Sequence, residues 1–214
     1  MGCDHGYLGI YLLTQGLAAH VVASDLRPKP LERARENARR FGVSEQMDFV
    51  CCNGLAAMDG SQGDTIVIAG MGGDAIAGIL EGCPWVRTGA YRLILQPQSS
   101  GNDLRRYLGN RGFQILQERL VRDGGFVYSV MDCAYGGGQP LSPGEQYLSP
   151  QLLEQGGELL EVYLEHVLNG LQKAVTGLRS SRNPKDAGRL PYYESALEEV
   201  QEMRKRYDNG AIHS

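Results

Sequence analysis

Two segments near the start of the chain combine residues that could hold a nucleotide-like ligand. Gly2 to Gly6 has the pattern of a turn between a strand and a helix, in which glycines let the backbone approach a ligand closely. The free N–H groups of the helix that follows could bind a carboxylate or a phosphate. Asp25 ends the short apolar run from His20, where its carboxylate could accept hydrogen bonds from ribose hydroxyls.

Two further segments follow the next two predicted strands. Asn53, after the strand Met47–Cys52, offers an amide to an adenine edge, and Leu55 beside it offers an apolar cover. The glycine-rich segment 70–73 follows a strand predicted to be buried, and its small residues would leave the floor of the ligand pocket uncrowded. Singly, each feature could be a helix cap, a turn or a loop. Their recurrence after successive strands favours one ligand site at the carboxyl ends of a sheet.

Strand and helix patterns alternate through the first two thirds of the chain. A helix is predicted from Pro28 to Phe41, with Gly42 as its stop. The other predicted elements are the strands 64–69 and 91–96, the helices 73–81 and 102–111, and a hairpin of 113–122 with 126–134. This order predicts an α/β domain with a mostly parallel sheet and an antiparallel edge.

A segment rich in glycine and proline, 136–144, divides the chain into two predicted domains, 1–138 and 145–214. In the second domain, apolar residues recur every three or four positions, from Leu160 to Leu178 and from Ala196 to Tyr207. They predict two antiparallel helices that form a coiled coil, joined by the polar segment 179–191. The same helices could mediate dimerisation, so the oligomeric state stays open.

Composition excludes several classes of protein. The chain has 214 residues, a net charge of −4 and five cysteines without a C-x-x-C pair, which argues against a metal site and a disulfide scaffold and fits a reducing cytoplasm. The uncharged stretch 6–24 lacks a basic flank, so we expect neither a signal peptide nor a membrane span. Six basic residues against two acidic ones in 27–40 indicate a basic surface or, equally, a solvated helix face.

The turn at Gly2 would need a strand before it to fix its direction, yet Met1 stands where that strand should end. We therefore expect the first strand of the sheet to be missing, through a misplaced start codon or a gene fragment.

The segment 70–75 also matches the G-x-G-x-x-A fingerprint of dinucleotide-binding domains. The strand that follows ends in Gln96-Pro97 and has no acid for a ribose hydroxyl, which disfavours a nicotinamide cofactor.

In combination, these motifs closely resemble the TrmK family, bacterial S-adenosylmethionine-dependent methyltransferases that modify N1 of adenine 22 in tRNA. The resemblance rests on Gly2-Cys-Asp-His-Gly-Tyr-Leu8, Asn53-Gly-Leu55, Ile68-Ala-Gly-Met-Gly-Gly73 and Leu93-Ile-Leu-Gln-Pro97. It implies a Rossmann-like class I methyltransferase sheet, S-adenosyl-L-methionine as cofactor and tRNA as partner. Asn53 departs from the family, which usually has an acid there, and this puts cofactor affinity in doubt.

The resemblance also implies the roles of individual residues. The transferred methyl would be bordered by Asp4, His5 and Tyr7. The cofactor pocket would be lined by Gly2, Asp25, Leu26, Asn53, Gly54, Leu55, Gly70 and Met71. Substrate RNA would contact Arg27, Arg33, Arg182, Lys185, Gln96 and Pro97. Two alternatives remain: a methyltransferase for another nucleic acid or a small molecule, and a non-catalytic remnant that binds RNA or a partner.

Overall fold

The structure, a computed structural model, describes residues 1–210 except the side chain of Lys185. The first part of the chain contains α1 (Tyr7–Thr14), β1 (Val21–Asp25), α2 (Pro28–Arg40), β2 (Met47–Cys51), β3 (Thr65–Gly72), α3 (Gly73–Glu81), β4 (Arg92–Ser99), α4 (Gly101–Asn110), β5 (Phe113–Asp123) and β6 (Phe126–Tyr135). The second part contains α5 (Pro150–Gln155), α6 (Glu158–Ser180), α7 (Pro184–Ala187) and α8 (Leu190–Asp208).

The strands pair both in parallel and antiparallel. β1 pairs with β2 and β3 pairs with β4, both in parallel. The hairpin of β5 and β6 adds two antiparallel pairings, in the order β3-β4-β6-β5. The predicted α/β class is therefore confirmed, and the antiparallel strand β6 lies one place inside the edge, because it returns between β4 and β5.

The strands form two separate sheets, and the first residues of the chain lie between them. The α-ammonium of Met1 donates a hydrogen bond to the Val67 carbonyl of β3 over 2.8 Å. The N–H of Cys3 donates to the Ser24 carbonyl of β1 over 3.2 Å. Within residues 1–210 no ladder joins β1 to β3.

Three buried clusters hold the elements together. One packs α3 and α4 against β3, β4 and β6, around Ile68, Leu95 and Met131. The second packs α1 and α2 onto β1, around Ile10 and Ala38. The third joins α5, α6 and α8, and we call it the tail cluster; its members include Leu152, Leu160, Leu164, Ala196 and Val200.

Helices α6 and α8 run antiparallel. Arg204 pairs with Glu161 over 2.9 Å near one end, and Arg179 pairs with Glu194 over 2.7 Å near the other. The polar segment predicted to join the two helices contains the short helix α7. Sequence reasoning also missed α5, which begins with Pro150 and a Ser149 cap.

Candidate active site

The first turn of the chain depends on glycine. Gly2 and Gly6 have φ of 66° and 73°, in the left-handed region that favours glycine, and Asp4 between them has a φ of 39°. A Cβ on Gly2 would stand 2.9 Å from the Met71 Cε, and a Cβ on Gly6 would stand 2.9 Å from the Ala34 Cβ. α1 then begins without a side-chain cap, so N–H groups of its first turn are available to a ligand.

Asp4 and His5 on this turn and Tyr7 at the start of α1 form one group, in which Asp4 and Tyr7 are exposed and His5 is partly exposed. The Asp4 carboxylate lies 2.9 Å from the His5 Nδ1, and the His5 ring stacks on Tyr7 with 5.6 Å between ring centroids. The Asn37 amide of α2 donates to the His5 carbonyl over 3.0 Å and fixes the turn against that helix. A carboxylate and two flat rings are thus presented together to solvent.

Asp25 ends β1 and is nearly buried, with 9% of its surface exposed. Its Oδ1 accepts a hydrogen bond from the Arg27 N–H over 3.0 Å, and its backbone carbonyl accepts one from the Cys52 N–H. Among the hydrogen bonds of residues 1–210, that of Arg27 is the one that engages this carboxylate, so its second oxygen remains able to accept from a ligand. Burial lowers the pKa of the Met1 ammonium, and the charges of Cys3 and Asp25 oppose that shift.

The loop after β2 contributes an exposed amide and a tight approach. Asn53 is exposed, whereas a Cβ on Gly54 would stand 2.9 Å from the Ile79 Cγ1. The Leu55 side chain is 3% exposed and belongs to the cluster under α3. Leu55 therefore does not offer its side chain as the predicted apolar cover; Leu26, 66% exposed, is the apolar side chain that this edge presents.

The glycine loop at the end of β3 is held by a side chain of β4. Gly70, with a φ of 77°, donates its N–H to the Gln96 Oε1 over 2.9 Å, and the Gln96 Nε2 donates to the Pro97 carbonyl over 3.2 Å. The ladder between β3 and β4 is irregular at this point. A Cβ on Gly73 would overlap the Ser100 carbonyl oxygen, so the two strand ends lie in direct backbone contact.

The family model of TrmK, described as tRNA (adenine(22)-N(1))-methyltransferase, matches residues 1–202 of the chain. The chain belongs to the TrmK family.

Known relatives resemble the chain in sequence and in fold. The tRNA (adenine(22)-N(1))-methyltransferase of Bacillus subtilis is 31% identical over 144 residues, which are 64% of this chain and 60% of that protein. A Streptococcus agalactiae protein of the NADB-Rossmann superfamily is 29% identical, with a TM-score of 0.79, over 95% of this chain and 88% of that one. A tRNA (m1A22) methyltransferase candidate from Streptococcus pneumoniae, solved with S-adenosyl-L-methionine, is 29% identical, with a TM-score of 0.75, over 92% of this chain and 90% of that one.

Several residues implied by the TrmK resemblance meet at the carboxyl edge of the strands. Gly2 approaches Met71, the Met1 side chain approaches Gly54, and Cys3 bonds to Ser24, the neighbour of Asp25. Arg27 is exposed directly before α2, two residues after Asp25, and Arg33 is exposed within α2.

Other implied residues lie elsewhere or are already engaged. Arg182 is exposed in the connector after α6, with no contact to the edge residues among the described interactions, and the Lys185 side chain lies outside the described part. Pro97 is buried, and the Gln96 amide bonds to backbone groups. The bond of Gln96 to Gly70 was not predicted, because nothing in a single sequence marks a glutamine as the partner of a glycine 26 positions away.

Two absences were found within residues 1–210. No cluster of three or more histidine, cysteine or acidic side chains is arranged to hold a metal ion. None of the helices in that range has both the length and the apolar character that crossing a membrane requires.

Proposed function

We propose that this chain transfers the methyl group of S-adenosyl-L-methionine to N1 of adenine 22 in tRNA. The observation that carries the proposal is that a chain of the TrmK family brings its glycine turn, Asp25 and Gly70 to one edge of the sheet. The related Streptococcus pneumoniae structure contains S-adenosyl-L-methionine, which supports the same cofactor here.

The edge residues fit such a cofactor. Asp25 is a buried acceptor suited to ribose hydroxyls, and the uncapped start of α1 suits the carboxylate of the amino-acid part. The exposed amide of Asn53 would bind the adenine edge, and Gly70 and Met71 would form the floor of the pocket. When bound, S-adenosyl-L-methionine supplies a methyl group on a positively charged sulfur.

Adenine N1 carries an in-plane lone pair that is largely unprotonated at neutral pH, so the reaction needs no strong general base. The work of the protein is to extract the base and to align N1 with the methyl group. The Asp4 carboxylate, exposed beside His5, would stabilise the positive charge that develops on the adenine. The stacked rings of His5 and Tyr7 offer a flat surface that can orient the base.

The tRNA itself would be bound by basic residues outside the edge. Arg27, directly before α2, and Arg33, on α2, are exposed, and Arg182 with Lys185 would extend the surface along the tail. We propose that residues 1–138 form the catalytic domain and 145–214 a helical coiled-coil domain that holds the RNA.

The sheet would be complete with one more strand. The facing edges of β1 and β3 are joined through the bonds of Met1 and Cys3 rather than by a ladder, and a central parallel strand would satisfy their backbone groups. We propose that the first strand of the methyltransferase sheet belongs in this place.

A methylation assay tests the function directly. The chain is incubated with S-adenosyl-L-methionine and either an unmodified tRNA or the same tRNA with guanine at position 22, and the products are digested and analysed for 1-methyladenosine. Product from the first tRNA alone supports the proposal. If neither tRNA gives 1-methyladenosine and a parallel incubation with small metabolites gives methylated product, the substrate belongs to another class.

Calorimetric titration of S-adenosyl-L-methionine separates an active enzyme from a remnant. It compares the chain as printed with a chain extended through the upstream codons of its gene. Binding by the extended chain supports a methyltransferase whose central strand lies upstream. Lack of binding by both would favour a remnant that binds RNA or a partner without catalysis.

A further inference from the structure

The hairpin of β5 and β6 extends beyond the rest of the sheet at the edge that carries the site. β4 pairs with β6 from Arg92 to Leu95, whereas the ladder of β5 and β6 continues to the pair Asp123 and Phe126. β4 and β5 are both antiparallel to β6 and therefore run in the same direction. The free end of the hairpin lies, for this reason, on the same side as the carboxyl end of β4 and the Gly70 loop.

The two faces of the free end differ. On one face Leu120 packs against the tail cluster, and its cross-strand partner Ser129 is buried. The pairs Arg119 with Val130 and Val121 with Tyr128 point to the opposite face, as the alternation of a strand requires.

This opposite face is exposed towards the tip of the hairpin, whereas Tyr128 and Val130 on it are half-buried. Phe126 is 67% exposed and Val121 is 42% exposed. Within residues 1–210, none of Val121, Phe126, Tyr128 and Val130 joins or packs against one of the three buried clusters. We call these four residues with Arg119 the hairpin face.

We propose that the hairpin face binds the tRNA nucleotides that flank the target adenine, an inference that rests on the proposed function. The rings of Phe126 and Tyr128 lie side by side with 6.3 Å between their centroids, and aromatic side chains on an open sheet are platforms for unpaired bases. Extraction of an adenine from its stack leaves its neighbours unstacked, and they need such a surface.

The charges of the hairpin face also fit RNA. Arg119 is exposed and forms no ion pair within the described residues, so its guanidinium can meet a phosphate. Asp123 lies at the turn, opposite Phe126, and would repel phosphate there. The backbone of the RNA would therefore pass at the Arg119 end, with its bases towards the rings. An apolar protein helix on this face would have to cover the Arg119 charge without compensation.

The test measures tRNA binding by Phe126→Ala, Tyr128→Ala and Arg119→Gln variants, with Leu116→Ala as matched control. Leu116 is an apolar residue of β5 outside the hairpin face, and it is 47% exposed. Loss of either ring should weaken tRNA binding about tenfold. Arg119→Gln should reduce the slope of log K against log salt by about the amount expected for one phosphate contact. Tyr128→Phe and Leu116→Ala should bind tRNA as the unchanged protein does.

Two results would overturn the inference. One is unchanged tRNA affinity in both Phe126→Ala and Tyr128→Ala. The other is a loss of tRNA binding in variants that also bind S-adenosyl-L-methionine more weakly and unfold at a lower temperature. That result would make the face part of the protein core. If the unchanged protein binds tRNA through these rings but does not methylate position 22, the proposed function fails and the binding surface stands.

Discussion

Arg105 of α4 and Glu118 of β5 form an ion pair that is sealed from solvent, with side chains 1% and 0% exposed. The Arg105 guanidinium also donates to the Gln146 carbonyl over 3.0 Å and to the Tyr163 hydroxyl of α6 over 3.1 Å. Burial alone would lower the pKa of Arg105, but the Glu118 carboxylate and Tyr163 raise it, so the guanidinium stays charged. One side chain thereby joins the sheet to the helical tail.

Replacement of Arg105 should therefore destabilise the protein. Arg105→Ala leaves the Glu118 charge buried without a partner, and we expect a loss of about 3–5 kcal/mol in the free energy of unfolding, measured by urea denaturation. The double variant Arg105→Met, Glu118→Leu removes both charges and should recover most of that loss. A double variant as unstable as the single one would show that the packing of the guanidinium matters more than its charge.

Asp25 should control cofactor affinity. Asp25→Asn keeps the shape of the side chain but removes its charge, and a hydrogen bond to a charged acceptor is worth about 1.5–3 kcal/mol. We expect S-adenosyl-L-methionine to bind roughly ten to a hundred times more weakly. The affinity is measured by calorimetry with whichever of the two chains compared above binds the cofactor. Asp48→Asn is the control, because Asp48 is an exposed carboxylate of β2 that pairs with His20. Equal losses in the two variants would remove Asp25 from the pocket.

Asp4 should affect turnover more than binding. Asp4→Ala removes the carboxylate next to His5, and we expect single-turnover methylation to slow about a hundredfold while cofactor affinity changes less than threefold. Glu45→Ala, which removes another exposed acid, should change neither quantity. If Asp4→Ala lowers rate and cofactor affinity to the same extent, Asp4 binds the cofactor and does not stabilise the transition state.

Arg33 should contribute to RNA binding through its charge. It is exposed on α2 and, within residues 1–210, forms no ion pair. Arg33→Gln should weaken binding of every tRNA alike and reduce the slope of log K against log salt by about 0.9. Arg204→Gln is the control, because Arg204 pairs with Glu161 and Asp208 in the tail. An unchanged slope in Arg33→Gln would place the RNA surface elsewhere.

Elements with strong local signals could be predicted closely. α3 has the predicted limits, and α2, predicted from Pro28 to Phe41, ends one residue earlier at Arg40. A proline at its start and a glycine after its end mark α2 in any context. β3 and β4 extend further than expected, to Gly72 and Ser99, because backbone pairing continues where the glycine and proline signals suggest a loop.

Long-range pairs could not be predicted in the same way. Nothing in the sequence marks Arg105 and Glu118 as a buried pair, because their burial follows from the packing of α4, β5 and the tail together. Leu55 was predicted to cover a ligand on the grounds of its neighbours, yet its side chain turns into the core. Sequence spacing identifies which loops meet, whereas the direction of a side chain within a loop depends on tertiary contacts.

The facing edges of β1 and β3 have a consequence for handling the protein. Within residues 1–210 no ladder joins β1 to β3, strand edges outside a ladder are templates for pairing with other chains, and α1 adds the exposed side chains of Tyr7, Leu8 and Tyr11. The protein should therefore self-associate as its concentration rises, and precipitation during purification would reflect intermolecular strand pairing while the packed core remains intact.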